Sequence, residues 1–213
     1  NMEMLSKEKE VVGIYISGHP LDDYKLEIDN FCNGNLSMSN SIEKIKGKDL
    51  HLAGVVTGVE HKETKNGKPF GILNMEDYHS SFSFYLFGED YINFKAYLTE
   101  GWLLHLKGKV KKKFYNDDLE FKISSMNLLS EIIDKEVRDV TLSVELNDIS
   151  ENIVEEICSL VSQNSGKHSL FFNIVDSLNK YDVDLLSRKT KVNLDKDFMS
   201  KITSLSQIKM RVK

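Results

Sequence analysis

Ser17, His19 and Asp22 fall within one short stretch, "ISGHPLD" (residues 16–22), and are the side-chain types of an acyl-transfer triad. Such a triad works through nucleophile, base and orienting acid linked by hydrogen bonds, beside donors for an oxyanion. Three residues of a single turn point outward and enclose no such site, so the stretch reads as punctuation between two helices. Upstream, "SKEKEVVGIY" sets Val11, Val12, Ile14 and Tyr15 among charged residues, the pattern of a short amphipathic helix. Gly18 suits the position past its end and Pro20 the first position of the next helix. Asp22 and Asp23 suit the positive end of that second helix's dipole. The second helix, "PLDDYKLEIDNF", carries Leu21, Tyr24, Ile28 and Phe31 at helical spacing. A hydrolase using Ser17 and His19 stays as the enzyme alternative.

A second constellation is basic and aromatic. Lys62, Lys65 and Lys68 surround one predicted turn, and Lys111, Lys112 and Lys113 open another that continues into Phe114 and Tyr115. Lysines in loops neutralise phosphates and release condensed counterions, while aromatic rings offer platforms on which any base can stack. The alternative is ordinary: solvated loop lysines, and aromatics that cover a core. The other candidates are weaker. His51, His61, His79, His105 and His168 share no metal-ligand spacing, and Asp117, Asp118 and Glu120 read as a solvated turn. Cys32 and Cys158 lack the paired spacing of a zinc site and read as inert thiols of a reducing cytosol.

The elements that would position these residues follow from pattern. "DLHLAGVVTGVE" (49–60) alternates as a strand, with Gly54 and Gly58 where it could bend. Asn66-Gly67 is a hairpin signal, and "FGILNMED" and "SSFSFYLF" follow as strands. "GEDYINFKAYLTEG" reads as a helix with Tyr91, Phe94 and Leu98 on one face, and "WLLHLKGKV" and "LEFKISSMNLL" as two more strands. Three strands, a helix and two strands is the order of an oligonucleotide/oligosaccharide-binding (OB) barrel, whose ligands use strands two and three and two flanking loops. Period-two alternation with Phe82, Phe84 and Leu86 inward puts Ser83 and Tyr85 outward. Leu73 and Met75 inward likewise leave Phe70, Ile72 and Asn74 outward. The expected nucleic-acid-binding set is therefore Lys62, Lys65, Lys68, Phe70, Asn74, Ser83, Tyr85, Lys111, Lys112, Lys113, Phe114 and Tyr115.

Beyond residue 137 the pattern changes. A strand in "RDVTLSVELN", a helix capped by Ser150, a turn at "NSGKHS", two strands joined near "NKYD", a helix and a last strand give the split βαβ order of a small α+β domain. The domains expected are residues 1–44 (helix-break-helix and linker), 45–132 (barrel) and 138–213 (protein interaction).

Length and charge set limits on this reading. The 213 residues suffice for two small domains, and 40% hydrophobic content with 2 prolines excludes a disordered chain. No run of 18 apolar residues exists, so no membrane partner is expected. The net charge of −5 does not by itself mark a nucleic-acid binder. Residues 45–130, however, hold 12 lysines against 11 acids, while the remainder holds 16 Lys and Arg against 22 acids.

"EKEVVGIYISGHPLDDY" (8–24) resembles the segment before the nucleic-acid-binding module of bacterial DNA polymerase III alpha subunits, through Gly13, Tyr15, Ser17, Gly18, His19, Pro20, Leu21 and Asp22. "ETKNGKPFG" is similar to that family's loop between the first two barrel strands, and "LNMEDYHSSFSFYLFGEDY" to the run that follows. Ser80 and Ser83 stand where a glycine and a glutamate are common in the family. The resemblance implies a non-catalytic C-terminal fragment, with the catalytic acids of the polymerase in a domain upstream and no cofactor in this fragment. It implies single-stranded template DNA on the barrel and a tau-type clamp-loader subunit on residues 138–213. The ending "QIKMRVK" resembles sliding-clamp-binding peptides only through Gln207 and Met210, and a strand explains it as well. An RNA-binding OB module and a pure interaction scaffold are the binding alternatives, and a cytoplasmic location is expected.

Overall fold

Fifteen consecutive strand residues, Asp49–Glu63, form β1, the axis of the first sheet. The computed structural model describes residues 4, 7–8, 11, 15–37, 43, 45–112 and 118–213. β1 pairs on one side with β2 (Pro69–Glu76) and on the other with β4 (Leu103–Lys112), both antiparallel. β3 (Ser81–Phe87) lies beyond β2 and β5 (Leu119–Leu128) beyond β4, giving the order β3-β2-β1-β4-β5. The Asn66-Gly67 hairpin forms: Gly67 has φ +72°, and Thr64 and Lys68 close the loop with a 2.9 Å backbone bond. The register slips between Val56 and Gly58, so the bend lies at a bulge one residue before the second glycine.

The core is the inward face of these strands: Leu73, Met75, Phe84, Leu86, Leu104 and Leu106 are all buried. A short helix, α2 (Glu89–Phe94), followed by a 3-10 turn at Lys95–Tyr97, sets Tyr91, Phe94 and Leu98 against it. Gly71 is required there, because a Cβ would sit 2.6 Å from Leu98 Cδ2. The face expected from sequence is thus the face used, although the helical part of "GEDYINFKAYLTEG" is shorter than its pattern.

The N-terminal joint packs on this barrel. Met4, Lys7, Glu8 and Val11 are helical. A 3-10 turn at Asp22–Tyr24 precedes α1 (Lys25–Phe31), so the second helix begins later than Pro20. Leu21 is buried with Ala53, Leu129 and Ile132, and Tyr24, Ile28 and Phe31 pack against them. Gly18 takes φ +153°, which side-chain-bearing residues rarely adopt. Burial first, then Asp29, pushes the Cys32 thiol up to about 12, which keeps it protonated and inert.

Residues 1–132 form one compact unit and 133–213 a second. The short helix α3 (Ile132–Glu136) spans that division. The second unit holds β6 (Asp139–Glu145), α4 (Glu151–Gln163), β7 (Ser165–Asp176), β8 (Tyr181–Val192), α5 (Lys196–Ser204) and β9 (Ile208–Val212). Ser150 caps α4 by accepting from the Ile153 amide, and Asp195 caps α5 by accepting from that of Phe198. The element order is as expected, but the sheet order, β8-β7-β6-β9, corrects the split arrangement. β6 and β7 are adjacent and parallel, so no strand divides the βαβ unit, and β9 pairs antiparallel with the far side of β6. A second correction concerns "NSGKHS": β7 already starts at Ser165 and absorbs Gly166 in an irregular register, where a Cβ would lie 2.4 Å from the Asn193 amide nitrogen.

Candidate nucleic-acid interface

The triad residues make no triad. Ser17 Oγ bonds to the Glu8 carboxylate, while His19 Nδ1 accepts from the Leu21 amide at 3.2 Å. Asp22 accepts the His19 backbone N–H at 2.6 Å and the Tyr78 hydroxyl at 3.0 Å. The His19 ring lies between Tyr15 and Tyr78, with centroids 5.2 and 4.5 Å away. Burial, and then the bond to Asp22, raises the Tyr78 hydroxyl above its ordinary pKa, so it stays a donor. Tyr78 is presented by the β2–β3 turn, which Asp77 holds closed by accepting the His79 and Ser80 amides at 2.8 Å each. "ISGHPLD" therefore clips the helical joint to the barrel.

Cross-strand register places the other constellation on one face. Side chains alternate along a strand, and opposite partners share a face. The first outer row is Lys62–Phe70–Phe87, the second Glu60–Ile72–Tyr85 and the third Gly58–Asn74–Ser83. Successive rows are about 6.7 Å apart, two residues of strand rise. Phe70 and Phe87 stack at 4.8 Å with 21° between their planes. Tyr85 is 59% exposed whereas Phe84 beside it is 3% exposed, which confirms the register read from sequence. In the third row Ser83 Oγ donates to Asn74 Oδ1 at 2.6 Å, fixing the amide and leaving its NH₂ end as a donor. Gly58 opposite keeps that end uncrowded, since a Cβ there would come within 3.2 Å of Asn74 Nδ2.

Lys62 is paired with Glu60 at 2.5 Å, with both side chains about half exposed. Such a pair contributes about 0–1 kcal/mol, little enough for a phosphate to displace the carboxylate. Lys65 and Lys68 are exposed in the hairpin loop, and Lys111 and Lys112 are exposed at the end of β4. Lys113, Phe114 and Tyr115 lie outside the described residues. Ile72 departs from its expected outward exposure: it is only 9% exposed, because it occupies the middle strand between Glu60 and Tyr85. Phe87, 50% exposed, is the residue that sequence reasoning missed. The alternation that put Tyr85 outward reaches Phe87 in one more step.

Among the described residues no group of three or more His, Cys, Asp or Glu is arranged to hold a metal ion, and no helix is long and apolar enough to cross a membrane. In the second unit Gln207 precedes β9, and Met210 pairs with Leu142 of β6, so most of "QIKMRVK" is built into a sheet.

Comparison with known proteins agrees with these folds. Residues 50–129 match the model of an OB-fold nucleic acid binding domain, and residues 140–213 that of the DNA polymerase III alpha subunit, C-terminal domain. The DNA polymerase III subunit alpha of Borreliella burgdorferi is 29% identical over 80% of this chain, which covers 15% of that relative. Its counterpart from Aquifex aeolicus is 25% identical over 96% of this chain and 17% of its own length. The chain thus spans about a sixth of the curated relatives it matches. Among solved structures, a mitochondrial single-stranded DNA binding protein from S. cerevisiae aligns over 38% of this chain and 95% of its own, at 16% identity and a TM-score of 0.30.

Proposed function

Since the chain belongs to the DNA polymerase III alpha subunit family, whose C-terminal region it matches, we propose that its barrel holds single-stranded DNA across the outer face of β1–β3. The carrying observation is the face itself: the stacked Phe70–Phe87 pair and Tyr85 lie one row apart, with lysines at its margin. Stacking on these rings is by itself tolerant of sequence. Lys62, Lys65, Lys68, Lys111, Lys112 and Lys113 supply the phosphate contacts, with Phe114 and Tyr115 as further platforms and Asn74 and Ser83 as polar partners. Nucleotidyl transfer is assigned to a part of the parent subunit outside this chain.

The test is fluorescence anisotropy with a labelled single strand, with duplex DNA and RNA of matched sequence as competitors. The expected result is weak binding to single-stranded DNA whose logarithm falls against log salt with a slope of about −0.7 per phosphate contact. Preferential competition by RNA would favour an RNA module, and no binding to either would leave a scaffold.

A second reading concerns residues 138–213, as the surface for a tau-type clamp-loader subunit. What supports a protein contact there is β8, where Tyr181, Val183, Leu185 and Leu186 are each at least half exposed. Exposed apolar residues grouped along an edge strand mark interaction surfaces. Binding of that subunit, measured by calorimetry against a Val183→Asp/Leu185→Asp variant, tests this assignment.

A further inference from the structure

The two end strands of the first sheet, β3 and β5, are not paired with each other among the described residues. Phe84 of β3 meets Phe121 of β5 edge-on, with ring centroids 5.8 Å apart. Above that contact lies a groove of about 470 Å³, walled by Tyr85 and Phe87 on one side and by Leu119, Glu120 and Phe121 on the other. An adjoining hollow of about 250 Å³ shares Tyr85, Phe87, Glu120 and Phe121 and adds Lys122 and Asp90, which are tied to each other as an ion pair. Glu120, an exposed residue, is the one charged group lining the wider groove among the described residues. The volume falls within the ~300–1,000 Å³ typical of small-ligand sites. The groove also continues directly from the outer face, since Tyr85 and Phe87 belong to both.

We infer that this groove is a base subsite in which Glu120 selects for bases carrying an exocyclic amine. The inference rests on the single-stranded DNA reading above and goes one step further, from a base-blind platform to a selective position. A phosphate is disfavoured, because the one charge lining the groove among the described residues is negative. A base fits, with its faces against aromatic rings and its edge toward the carboxylate. An ionised carboxylate accepts hydrogen bonds and donates none. Cytosine offers its N4 amine and adenine its N6 amine, as guanine offers N1–H and N2–H₂. Thymine presents a single N–H between two carbonyls, which face the carboxylate with like partial charge. The aromatic walls do not discriminate among bases, so the preference comes from Glu120 alone.

The test compares oligo-dC with oligo-dT of equal length on the full chain and on Glu120→Gln, with circular dichroism to verify folding. The wild type is expected to bind oligo-dC about fivefold more tightly, the worth of one net hydrogen bond, and the variant to lose most of that ratio because an amide both donates and accepts. A variant that binds both oligonucleotides more tightly by the same factor would overturn the inference, since Glu120 would then only repel phosphates. Equal ratios in wild type and variant would overturn it too, and would leave the single-strand reading standing. Failure of the wild type to bind either oligonucleotide would overturn both.

Discussion

Strands β3 and β8 both end their sheets, and both carry large apolar residues in the open, but they do so differently. β3 exposes Tyr85 and Phe87 while Phe84 and Leu86 between them are buried at 3% and 2% exposure. Only one of its faces is open, and that face is aromatic and bordered by lysines. β8 exposes Tyr181, Val183, Leu185 and Leu186, consecutive positions among them, so both of its faces are open. Its open residues are mostly aliphatic and interleaved with Asp182 and Asp184, whose carboxylates bond to Asn173 of β7. Flat rings beside cations suit bases and phosphates, whereas aliphatic side chains beside acids suit another protein and repel nucleic acid. One chain thus carries two kinds of edge, which the proposals above assign to two kinds of partner.

The sharpest way to break the contrast is to remove what holds β3 in register. Phe84→Ala deletes a buried ring and should cost the barrel about 3–5 kcal/mol, read as a lower urea midpoint. A near-neutral result would mean that the outer face is not set by this core. Next in size is Lys65→Ala/Lys68→Ala/Lys112→Ala, which should weaken every single strand alike and flatten the salt dependence, each lost phosphate contact removing about 0.7 from the slope. Tyr85→Ala and Phe87→Ala should leave that slope intact and each lose roughly 1–3 kcal/mol of binding if a base stacks there. The smallest expected effect on DNA belongs to β8: Val183→Asp/Leu185→Asp should leave oligonucleotide affinity unchanged, and a clear loss would merge the two surfaces.

The same contrast explains what could be read from sequence. Alternation is faithful where one face is buried, so Phe84 in and Tyr85 out were legible, as was the Asn66-Gly67 hairpin, whose chemistry is local. Ile72 was not, because its covering depends on neighbours in two other strands. Gly58 marked the bend of β1 to within one residue, since the bulge falls at Thr57. The Lys62–Glu60 pair, two residues apart on one strand, is a matter of side-chain geometry more than of sequence. In the second unit the element order was legible but the sheet order was not, since β9 returns to β6 across the chain and the order of elements leaves that pairing open. Gly166 reads as a turn residue in isolation, and only the backbone of Asn193 lying against it shows why a strand needs a glycine there.

The central claim, that the outer face of β1–β3 binds a single strand, is tested most directly by amide chemical-shift mapping. The isotopically labelled full chain would be titrated with a short single-stranded DNA. Resonances of residues 62–74 and 81–87 should shift in a saturable way, with Phe70, Asn74, Tyr85 and Phe87 among the largest, while those of β6 to β9 stay in place. Shifts confined to β7 and β8, or none on β2 and β3 at saturating DNA, would contradict it.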